Sequence, residues 1–249
     1  MNLIRVIPAE EMQIHSQLQP SSHPEEGFLL RAVIFANGNF KKSSIPLPAL
    51  RKDDLLIAAD GGAKHFQELG LRPAIVVGDM DSISPVLLEN LKTQGSQFIV
   101  YPRDKDQTDL ELALIYAAQS GVKEVLFFGV LGGRLDQSLA NLMLLTRDDW
   151  KDLSLVISNA PDIAYVMRDH GSISLQGNSG DIVSLIPLSA VVTAVSTHGL
   201  RWPLKNAELT LGNTISVSNE MLEKSARIEI GIGKLLLVHR DMLAAEDEE

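Results

Sequence analysis

Five runs in the first 130 positions are apolar at nearly every residue, which predicts strands buried on both faces. Strands of a parallel sheet covered by helices have this pattern, whereas a strand with one solvated face alternates apolar and polar residues. The runs are residues 31–36, 54–59, 74–77, 97–101 and 124–128.

Helix signals lie between the predicted strands. Ser84 followed by Pro85 is typical of a helix N-cap and first helical position. Thr108 and Glu111 have the form of a capping box, which predicts a helix that begins at Asp109. A further helix is expected after the last run, through the apolar residues Leu139, Leu142, Met143 and Leu145. Strands that alternate with helices predict an α/β fold with a doubly wound, mostly parallel sheet.

The pattern changes after about Trp150, where short runs rich in β-branched residues are separated by Gly and Asn turns. Such runs predict an antiparallel β-sandwich as a second domain. The expected strands are residues 153–158, 163–167, 172–175, 182–186, 191–195 and 226–230. We therefore expect an N-terminal extension at residues 1–27, an α/β domain at 28–151, a β-sandwich domain at 152–243 and an acidic tail at 244–249.

Composition narrows the classes of function. The 249 residues carry a net charge of −10, from 22 basic and 32 acidic side chains, which opposes nonspecific binding to nucleic acid. The chain has no cysteine, so a disulfide framework, a thiolate nucleophile and a cysteine zinc site are excluded. It shows neither a signal peptide nor an apolar run long enough to cross a membrane, so we expect a cytoplasmic protein without a membrane partner.

Two clusters of carboxylates follow predicted strands. Asp79 and Asp81 come directly after residues 74–77, and in an extended or sharply turning backbone positions i and i+2 are expected to point the same way. Asp104, Asp106 and Asp109 follow the next run and end at the predicted helix start. Because carboxyl ends of parallel strands meet at one edge of a sheet, these clusters predict a site for a hard cation such as Mg²⁺.

A glycine loop follows the fifth run. Gly132 and Gly133 precede Arg134, a combination suited to binding a phosphate group. Each motif alone has a plainer interpretation, because aspartates often form turns and strand-to-helix turns often need glycine. The recurrence of such motifs at successive strand ends favours a nucleotide site, although a P-loop is absent.

Together these motifs resemble the signature blocks of the thiamine pyrophosphokinase family, in the same order. The blocks in the first half are residues 60–63, 78–82, 104–109 and 132–137, and those in the second half are residues 197–204 and 215–220. Two positions depart from the family pattern. Met80 stands where Phe is frequent, and Gln137 stands where many members have His, so we assign Gln137 no acid–base role.

The resemblance implies an enzyme that transfers the diphosphate of ATP to the hydroxyethyl group of thiamine, giving thiamine diphosphate and AMP. It implies Mg²⁺, ATP as co-substrate, and a homodimer that binds each thiamine between subunits. It also implies that the α/β domain binds ATP and that the β-sandwich domain serves thiamine binding and dimerisation.

The resemblance further implies roles for individual residues. The catalytic residues would be Asp79, Asp81, Asp109, Lys105 and Arg134, of which the three aspartates would bind Mg²⁺. Residues near the nucleotide or its metal would be Asn37, Asp60, Gly61, Gly62, Asp104, Asp106, Thr108, Gly132, Gly133 and Asp136. Residues on the thiamine side would be Gln137, Trp202, Ser216, Ser218 and Asn219.

Several alternatives stay open at this point. The acceptor could be another alcohol, such as a hydroxymethyl pterin, or the protein could bind nucleotide or thiamine without turnover. Trp202 could stack on the cationic thiazolium or could equally be a core indole of the sandwich. Any one of the aspartates could accept the proton of the attacking hydroxyl.

Overall fold

The protein, seen here as a computed structural model, is described for residues 4–6, 31–40 and 50–246. The chain forms two compact units. One comprises Met1–Leu144 and Asp152–Ser154, and the other comprises Leu145–Lys151 and Leu155–Glu249. No helix in the described ranges is both long and apolar enough to cross a bilayer.

The first unit contains a parallel sheet. Its strands are β1 Ile4–Val6, β2 Arg31–Phe35, β3 Leu55–Ala59, β4 Ile75–Gly78, β5 Gln97–Val100 and β6 Glu124–Phe128. They lie in the order β1-β5-β4-β3-β2-β6, and each neighbouring pair is parallel. The predicted α/β class is confirmed. The chain moves outward in one direction from β2 to β5 and then places β6 on the other side of β2, which creates a topological switch point between β2 and β6.

Four α-helices follow strands of this sheet: α1 Ala63–Leu69, α2 Pro85–Thr93, α3 Asp109–Gln119 and α4 Leu135–Leu144. The capping predictions hold, since Ser84 Oγ accepts the Leu87 amide at 3.3 Å and Thr108 Oγ1 accepts the Glu111 amide at 3.2 Å. Helix α1 ends at Gly70, which has the left-handed conformation. Helix α3 packs against β2, β3 and β4.

Helix α4 forms where it was expected, but its apolar residues are not buried. Leu135, Leu139 and Met143 lie four residues apart and are each at least half exposed. Leu145, which was expected on the same helix, is buried but lies just beyond the helix end. The apolar spacing therefore predicted the helix correctly, whereas these three side chains do not contribute to the core of the unit.

The core of the first unit is centred on aromatic side chains from β2, β6 and α1. Phe35 on β2 stacks on Phe128 of β6 at 4.8 Å between ring centroids and contacts Phe66 of α1 at 4.7 Å. Phe98 and Phe127 are also fully buried. Aromatic pairs at these separations stabilise a core beyond the burial of their area. They anchor β2 and β6, the two strands beside the switch point.

The second unit contains two antiparallel sheets. The strands of the first sheet are β7 Ser154–Asn159, β8 Asp162–Met167, β10 Ile182–Pro187, β13 Asn219–Glu220 and β15 Leu235–Arg240. The strands of the second sheet are β9 Ser172–Gln176, β11 Val191–His198, β12 Ala207–Thr210 and β14 Ser225–Glu229. The first sheet has the order β7-β8-β15-β10-β13, and the second has the order β12-β11-β14-β9.

A single apolar cluster joins the two sheets of the second unit. Val183 and Leu237 come from the first sheet, and Val192 and Ile228 come from the second. All four are fully buried, as expected for the inner faces of a sandwich. The sequence analysis missed strands β1, β12, β13 and β15. Strand β1 lies inside the segment that was expected to be an extension, and a short helix, α5 Met242–Glu246, reaches into the expected acidic tail.

Candidate active site

A cavity of about 530 Å³ opens in the first unit at the carboxyl ends of β2, β3 and β6. This is the switch point, where open α/β sheets bind ligands. Many of its walls come from the motifs selected in the sequence. The lining includes Asn37, Asp60, Lys105, Thr108, Asp109, Gly132, Gly133, Arg134 and Gln137, together with Gly38, Asn39, Ser82, Gln107 and Asn141.

Two backbone segments form one wall of the cavity. The Gly38 amide donates to the Gly129 carbonyl at 2.6 Å, and the Asn39 amide donates to the Leu131 carbonyl at 2.9 Å. A Cβ on Gly38 would overlap the Gly129 carbonyl oxygen. A Cβ on Gly132 would lie 2.5 Å from the Asn39 side chain, and the φ of Gly132 is +85°. These glycines are therefore required by the close approach of the two segments.

Three carboxylates from different elements converge beside this wall. Asp60 follows β3, Asp79 follows β4 and Asp109 is the first residue of α3, and one oxygen of each lies within 4.8 Å of the others. Gly78, with φ of +149°, makes this approach possible. A Cβ there would lie 2.8 Å from the Asp60 Cβ and 3.1 Å from Asp109 Oδ1.

Burial disfavours the ionised form of these three carboxylates. Burial raises the pKa of Asp60 and of Asp109 above the usual value for aspartate. Burial acts in the same direction on Asp79, but the Asp81 amide and the Lys105 ammonium outweigh it and lower the pKa of Asp79. Asp60 Oδ1 is buried and accepts no hydrogen bond from the described residues. An unpartnered oxygen in a group of three carboxylates fits the ligand set that a hard cation prefers.

Lys105 lies within the same group. Its Nζ is 3.1 Å from Asp109 Oδ1 and 3.5 Å from Asp79 Oδ2. Only 6% of its side chain is exposed, which is rare for lysine without a charged partner. Lys105 lies four residues before Asp109, in the segment that leads into the Thr108 cap of α3, and this position brings the ammonium to the carboxylates. One cation therefore already offsets part of the negative charge.

Asp81 lies outside the group of three. Its amide donates to Asp79 Oδ1 at 3.1 Å, whereas its carboxylate accepts from Ser82 Oγ at 3.1 Å and lies 3.5 Å from Arg103 Nε. Asp79 and Asp81 were expected to point the same way in an extended or sharply turning backbone. Met80 has a left-handed φ of +65°, and the turn that it makes directs the two carboxylates to different partners. Asp60 occupies the position in the group that was assigned to Asp81, and metal binding by Asp81 stays a prediction.

Other expected nucleotide residues lie around the cavity in different ways. Asn37 Oδ1 accepts a hydrogen bond from Lys64 Nζ at 2.7 Å. The side-chain amide of Asn37 lies so close to Gly61 that a Cβ on Gly61 would overlap it. Gly62 lies against the Phe35 carbonyl in the same manner. Asp104 and Asp106 are exposed and are not among the cavity-lining residues.

The glycine loop presents Arg134 at the cavity. Its exposed guanidinium donates to the Asp136 carboxylate through Nε and a second nitrogen. Asp136 therefore binds Arg134 and is not one of the cavity-lining residues. Gln137 lines the cavity on the first turn of α4. Asn141, one turn later, also lines it and donates to the Val130 carbonyl at 2.7 Å. The sequence analysis missed Asn141, although its spacing from Gln137 places it on the same face of a helix.

Four of the five expected thiamine-side residues lie in the second unit, whereas Gln137 lines the cavity of the first. The Trp202 ring is 54% exposed and lies under the Arg201 guanidinium at 5.0 Å, so the core-indole interpretation is wrong. Asn219 is buried and binds the backbone of Trp202 twice, accepting from its amide at 3.1 Å and donating to its carbonyl at 2.7 Å. An exposed, polarised ring on a fixed backbone is suited to stacking.

The two serines have other surroundings. Ser216 is buried, and its hydroxyl donates to the Leu185 carbonyl at 2.6 Å. Ser218 has a left-handed φ of +60°, and its amide donates to Ser184 Oγ at 3.0 Å. Both bonds fasten the 214–218 segment to β10. In this structure the Ser216 hydroxyl serves the fold, and its contact with a ligand stays a prediction.

Comparisons with known proteins show the family of this chain. Residues 48–157 match the family model described as the catalytic domain of thiamin pyrophosphokinase, and residues 172–235 match its vitamin B1 binding domain. The chain is 29% identical over 185 residues to a thiamine pyrophosphokinase of Bacillus subtilis, which covers 74% of this chain and 86% of the relative. It is 31% identical over 199 residues to thiamine pyrophosphokinase 1 of Arabidopsis thaliana, which covers 70% of this chain and 74% of the relative.

A solved structure gives the same result for the fold. The crystal structure of the thiamine pyrophosphokinase from Bacillus subtilis matches with a TM-score of 0.75 at 26% sequence identity. The match covers 85% of this chain and 99% of that one.

Proposed function

Because the chain belongs to the thiamine pyrophosphokinase family, an enzyme family of thiamine diphosphate formation, we propose that it transfers the diphosphate group of ATP to the hydroxyethyl group of thiamine and releases AMP. The observation that carries the proposal is the convergence of Asp60, Asp79 and Asp109 beside the switch-point cavity. Diphosphate transfer needs neutralised phosphate charge more than covalent help, and this group lies where a polyphosphate would enter.

Mg²⁺ is the ion that we assign to the carboxylates. Asp60, Asp79 and Asp109 would hold it. Asp81, whose amide binds Asp79 but whose carboxylate faces Ser82 and Arg103, stays a predicted ligand outside this group. When bound, such an ion neutralises phosphate oxygens and orients the nucleotide. The unpartnered Asp60 Oδ1 supports this assignment, because a buried oxygen without a donor is costly unless it has a ligand.

The protein itself supplies the remaining parts of the site. Lys105 and Arg134 present positive charge to the transferred diphosphate, whereas Asn37 and Thr108 line the cavity for the nucleotide. An aspartate of the group accepts the proton of the attacking hydroxyl, since carboxylates are the bases available there.

The thiamine ring is assigned to the Trp202 surface, with Asn219 as the positioning residue that holds the Trp202 backbone. We assign a homodimer as the active assembly, with each thiamine bound between subunits. Helix α4 carries a row of three exposed apolar side chains, Leu135, Leu139 and Met143. This row supports an assembly, because monomeric proteins rarely expose contiguous apolar surface.

The direct test of this proposal uses purified protein with ATP, Mg²⁺ and thiamine. We expect AMP and thiamine diphosphate to form in equal amounts, with no AMP release when thiamine is omitted. Production of ADP, or turnover with a hydroxymethyl pterin but not with thiamine, would refute it. Binding of both ligands without AMP release would indicate a binding protein.

The assignment of the carboxylates is tested by Asp60→Asn and Asp81→Asn. We expect Asp60→Asn to weaken Mn²⁺ binding by at least about tenfold, because it removes charge and a ligand from the group of three. Asp81→Asn is expected to have a smaller effect, since its carboxylate faces Ser82 and Arg103. Isothermal titration calorimetry with Mn²⁺ measures the affinity of each variant. A larger loss of Mn²⁺ affinity in Asp81→Asn than in Asp60→Asn would reverse the assignment.

A further inference from the structure

Lys105 has a contact pattern that phosphate binding alone does not require. Its ammonium lies against two of the three carboxylates assigned to the ion, at 3.1 Å from Asp109 and 3.5 Å from Asp79. We propose that Lys105 is a built-in competitor cation that makes this site select the metal–polyphosphate complex over the free divalent ion. The proposal rests on the function proposed above and adds the property by which the site chooses its ligand.

The competition follows from shared carboxylates. Asp109, whose Oδ1 faces Lys105 at 3.1 Å, belongs to the group in which one oxygen of each aspartate lies within 4.8 Å of the others. A divalent ion bound to this group would therefore meet an ammonium on the same carboxylates, and like charges at such separations repel strongly away from bulk water. Lys105 lowers the net charge of the group from −3 to −2, which also weakens attraction for a free ion.

Lys105 cannot easily withdraw into solvent. Its side chain is 6% exposed, and it lies in the short segment between β5 and the Thr108 cap of α3. A more exposed lysine would turn outward when an ion arrived, because its ammonium would be better hydrated in water. Lys105 therefore needs another anionic partner inside the site before it leaves the carboxylates.

A polyphosphate supplies that partner. Lys105 lines the cavity together with Gly132 and Arg134, so a phosphate oxygen in the cavity would be within the region that its flexible side chain can reach. When the ammonium turns to the phosphate, the carboxylate oxygens are released for the ion that accompanies the nucleotide. The site then binds metal and nucleotide with positive cooperativity, through one side chain that has two alternative partners.

The test compares Mn²⁺ affinity with and without α,β-methylene-ATP, whose linkage cannot be cleaved by the enzyme. In Lys105→Met, we expect free Mn²⁺ to bind about tenfold more tightly than in the natural protein. We expect the complex of Mn²⁺ with the analogue to bind at least about tenfold more weakly, because the phosphate loses its cation. Electron paramagnetic resonance of Mn²⁺ reads both affinities without any turnover.

Two controls separate local charge from general charge. Lys105→Arg keeps the positive charge and is expected to keep free Mn²⁺ binding as weak as in the natural protein. Lys123→Met removes an exposed lysine at the opposite, amino-terminal end of β6 and is expected to change Mn²⁺ affinity less than about twofold, as screening of distant surface charges requires. Lys105→Gln, checked by circular dichroism, replaces Lys105→Met if that variant does not fold.

The results distinguish this inference from the proposed function. Equal or weaker binding of free Mn²⁺ in folded Lys105→Met or Lys105→Gln overturns the competitor role, even when the natural protein makes thiamine diphosphate. A natural protein that binds neither Mn²⁺ nor its nucleotide complex overturns both. Tighter free-ion binding with weaker complex binding supports the inference, whichever alcohol is the acceptor.

Discussion

Gly78 sets how closely the three carboxylates can approach. Its φ of +149° is a conformation that side-chain-bearing residues rarely adopt, and a Cβ would press on Asp60 and Asp109. In Gly78→Ala, we expect the free energy of unfolding to fall by about 1–3 kcal/mol from backbone strain. We also expect Mn²⁺ affinity to fall at least about tenfold, because the group must spread.

Gly70→Ala is the matched control for this prediction. Gly70 is also left-handed, with φ of +67°, but no atom lies within 4 Å of a Cβ built there. We expect Gly70→Ala to cost about 1 kcal/mol in urea unfolding and to leave Mn²⁺ affinity unchanged. Equal losses of Mn²⁺ affinity in the two variants would show that strain, and not the contact with the carboxylates, is responsible.

Single-residue geometry marks the limit of the sequence analysis. The acidic residues were all visible in the sequence, but the rule that placed Asp79 and Asp81 together holds only for extended backbone. Met80 has a left-handed backbone, so the rule does not apply there. Methionine is not a residue type that favours this conformation, so the conformation could not be predicted from the sequence. Asp60 replaces Asp81 because the ends of β3 and β4 and the start of α3 meet in space, which local spacing does not encode.

At the scale of elements, the cap of α3 connects helix stability to the site. Thr108 Oγ1 accepts the Glu111 amide and fixes the start of the helix at Asp109. We expect Thr108→Ala to lower the free energy of unfolding by about 1 kcal/mol. We also expect a higher KM for ATP, because Thr108 and Asp109 both line the cavity.

Thr108→Ser should retain most of the stability, since serine is an equally good N-cap. Urea unfolding and steady-state kinetics in varied ATP measure the two effects. A Thr108→Ala protein that loses stability without any change in KM would show that the cap does not position the site.

Asp181 connects α5 to the sandwich of the second unit. Its carboxylate is buried and accepts from the Met242 amide at 3.1 Å and the Asn178 amide at 2.8 Å, with His239 Nε2 at 3.0 Å. Burial alone would raise the pKa of Asp181, but these donors outweigh it and lower that pKa. A lowered pKa in the folded state means that the charged form stabilises the protein above about pH 4.

We expect Asp181→Asn to lower the free energy of unfolding by about 2–3 kcal/mol at pH 7, since hydrogen bonds to a charged group are lost. The difference from the natural protein should shrink as the pH falls below about 4, because the natural carboxylate then becomes protonated on unfolding and finally in the folded state. Urea unfolding at a series of pH values checks this. A difference that is constant down to pH 3 would contradict the ionic role.

Regular elements were predicted more completely than the residues that join them. Five of the six parallel strands, and the helices that follow them, were predicted from continuous apolar runs and caps, which are local signals. Strand β13 has two residues and β12 includes Glu208, so neither has a clear period. Strand β15, by contrast, contains the apolar run Leu235–Val238, a signal that was present and overlooked. The capped start of α3 is the element-scale prediction on which the site most depends.

At the scale of the molecule, the exposed row on α4 bears on assembly. Leu135, Leu139 and Met143 are 74%, 51% and 51% exposed and lie on one side of the helix. If a second copy covers this row, Leu139→Glu should shift the mass in solution from twice the 27.2 kDa of the chain to a single chain. Light scattering after size-exclusion chromatography measures the mass.

Val86→Glu is the control, because Val86 is a 71% exposed apolar residue on α2, outside this row. We expect it to keep the mass of the natural protein. A natural protein that is monomeric, or a Leu139→Glu variant that stays dimeric, would exclude α4 as the interface.

Strand β1 has a consequence for how the chain matures. Ile4–Val6 pairs in parallel with β5, and Ile4 lies opposite Phe98. A ribosome makes about 5–20 residues per second, so β1 emerges roughly 5–20 s before its partner exists. Until then the backbone groups of β1 have only water or a chaperone to bind. Strand β1 therefore completes its edge of the sheet only after the central strands β2, β3 and β4 have been made.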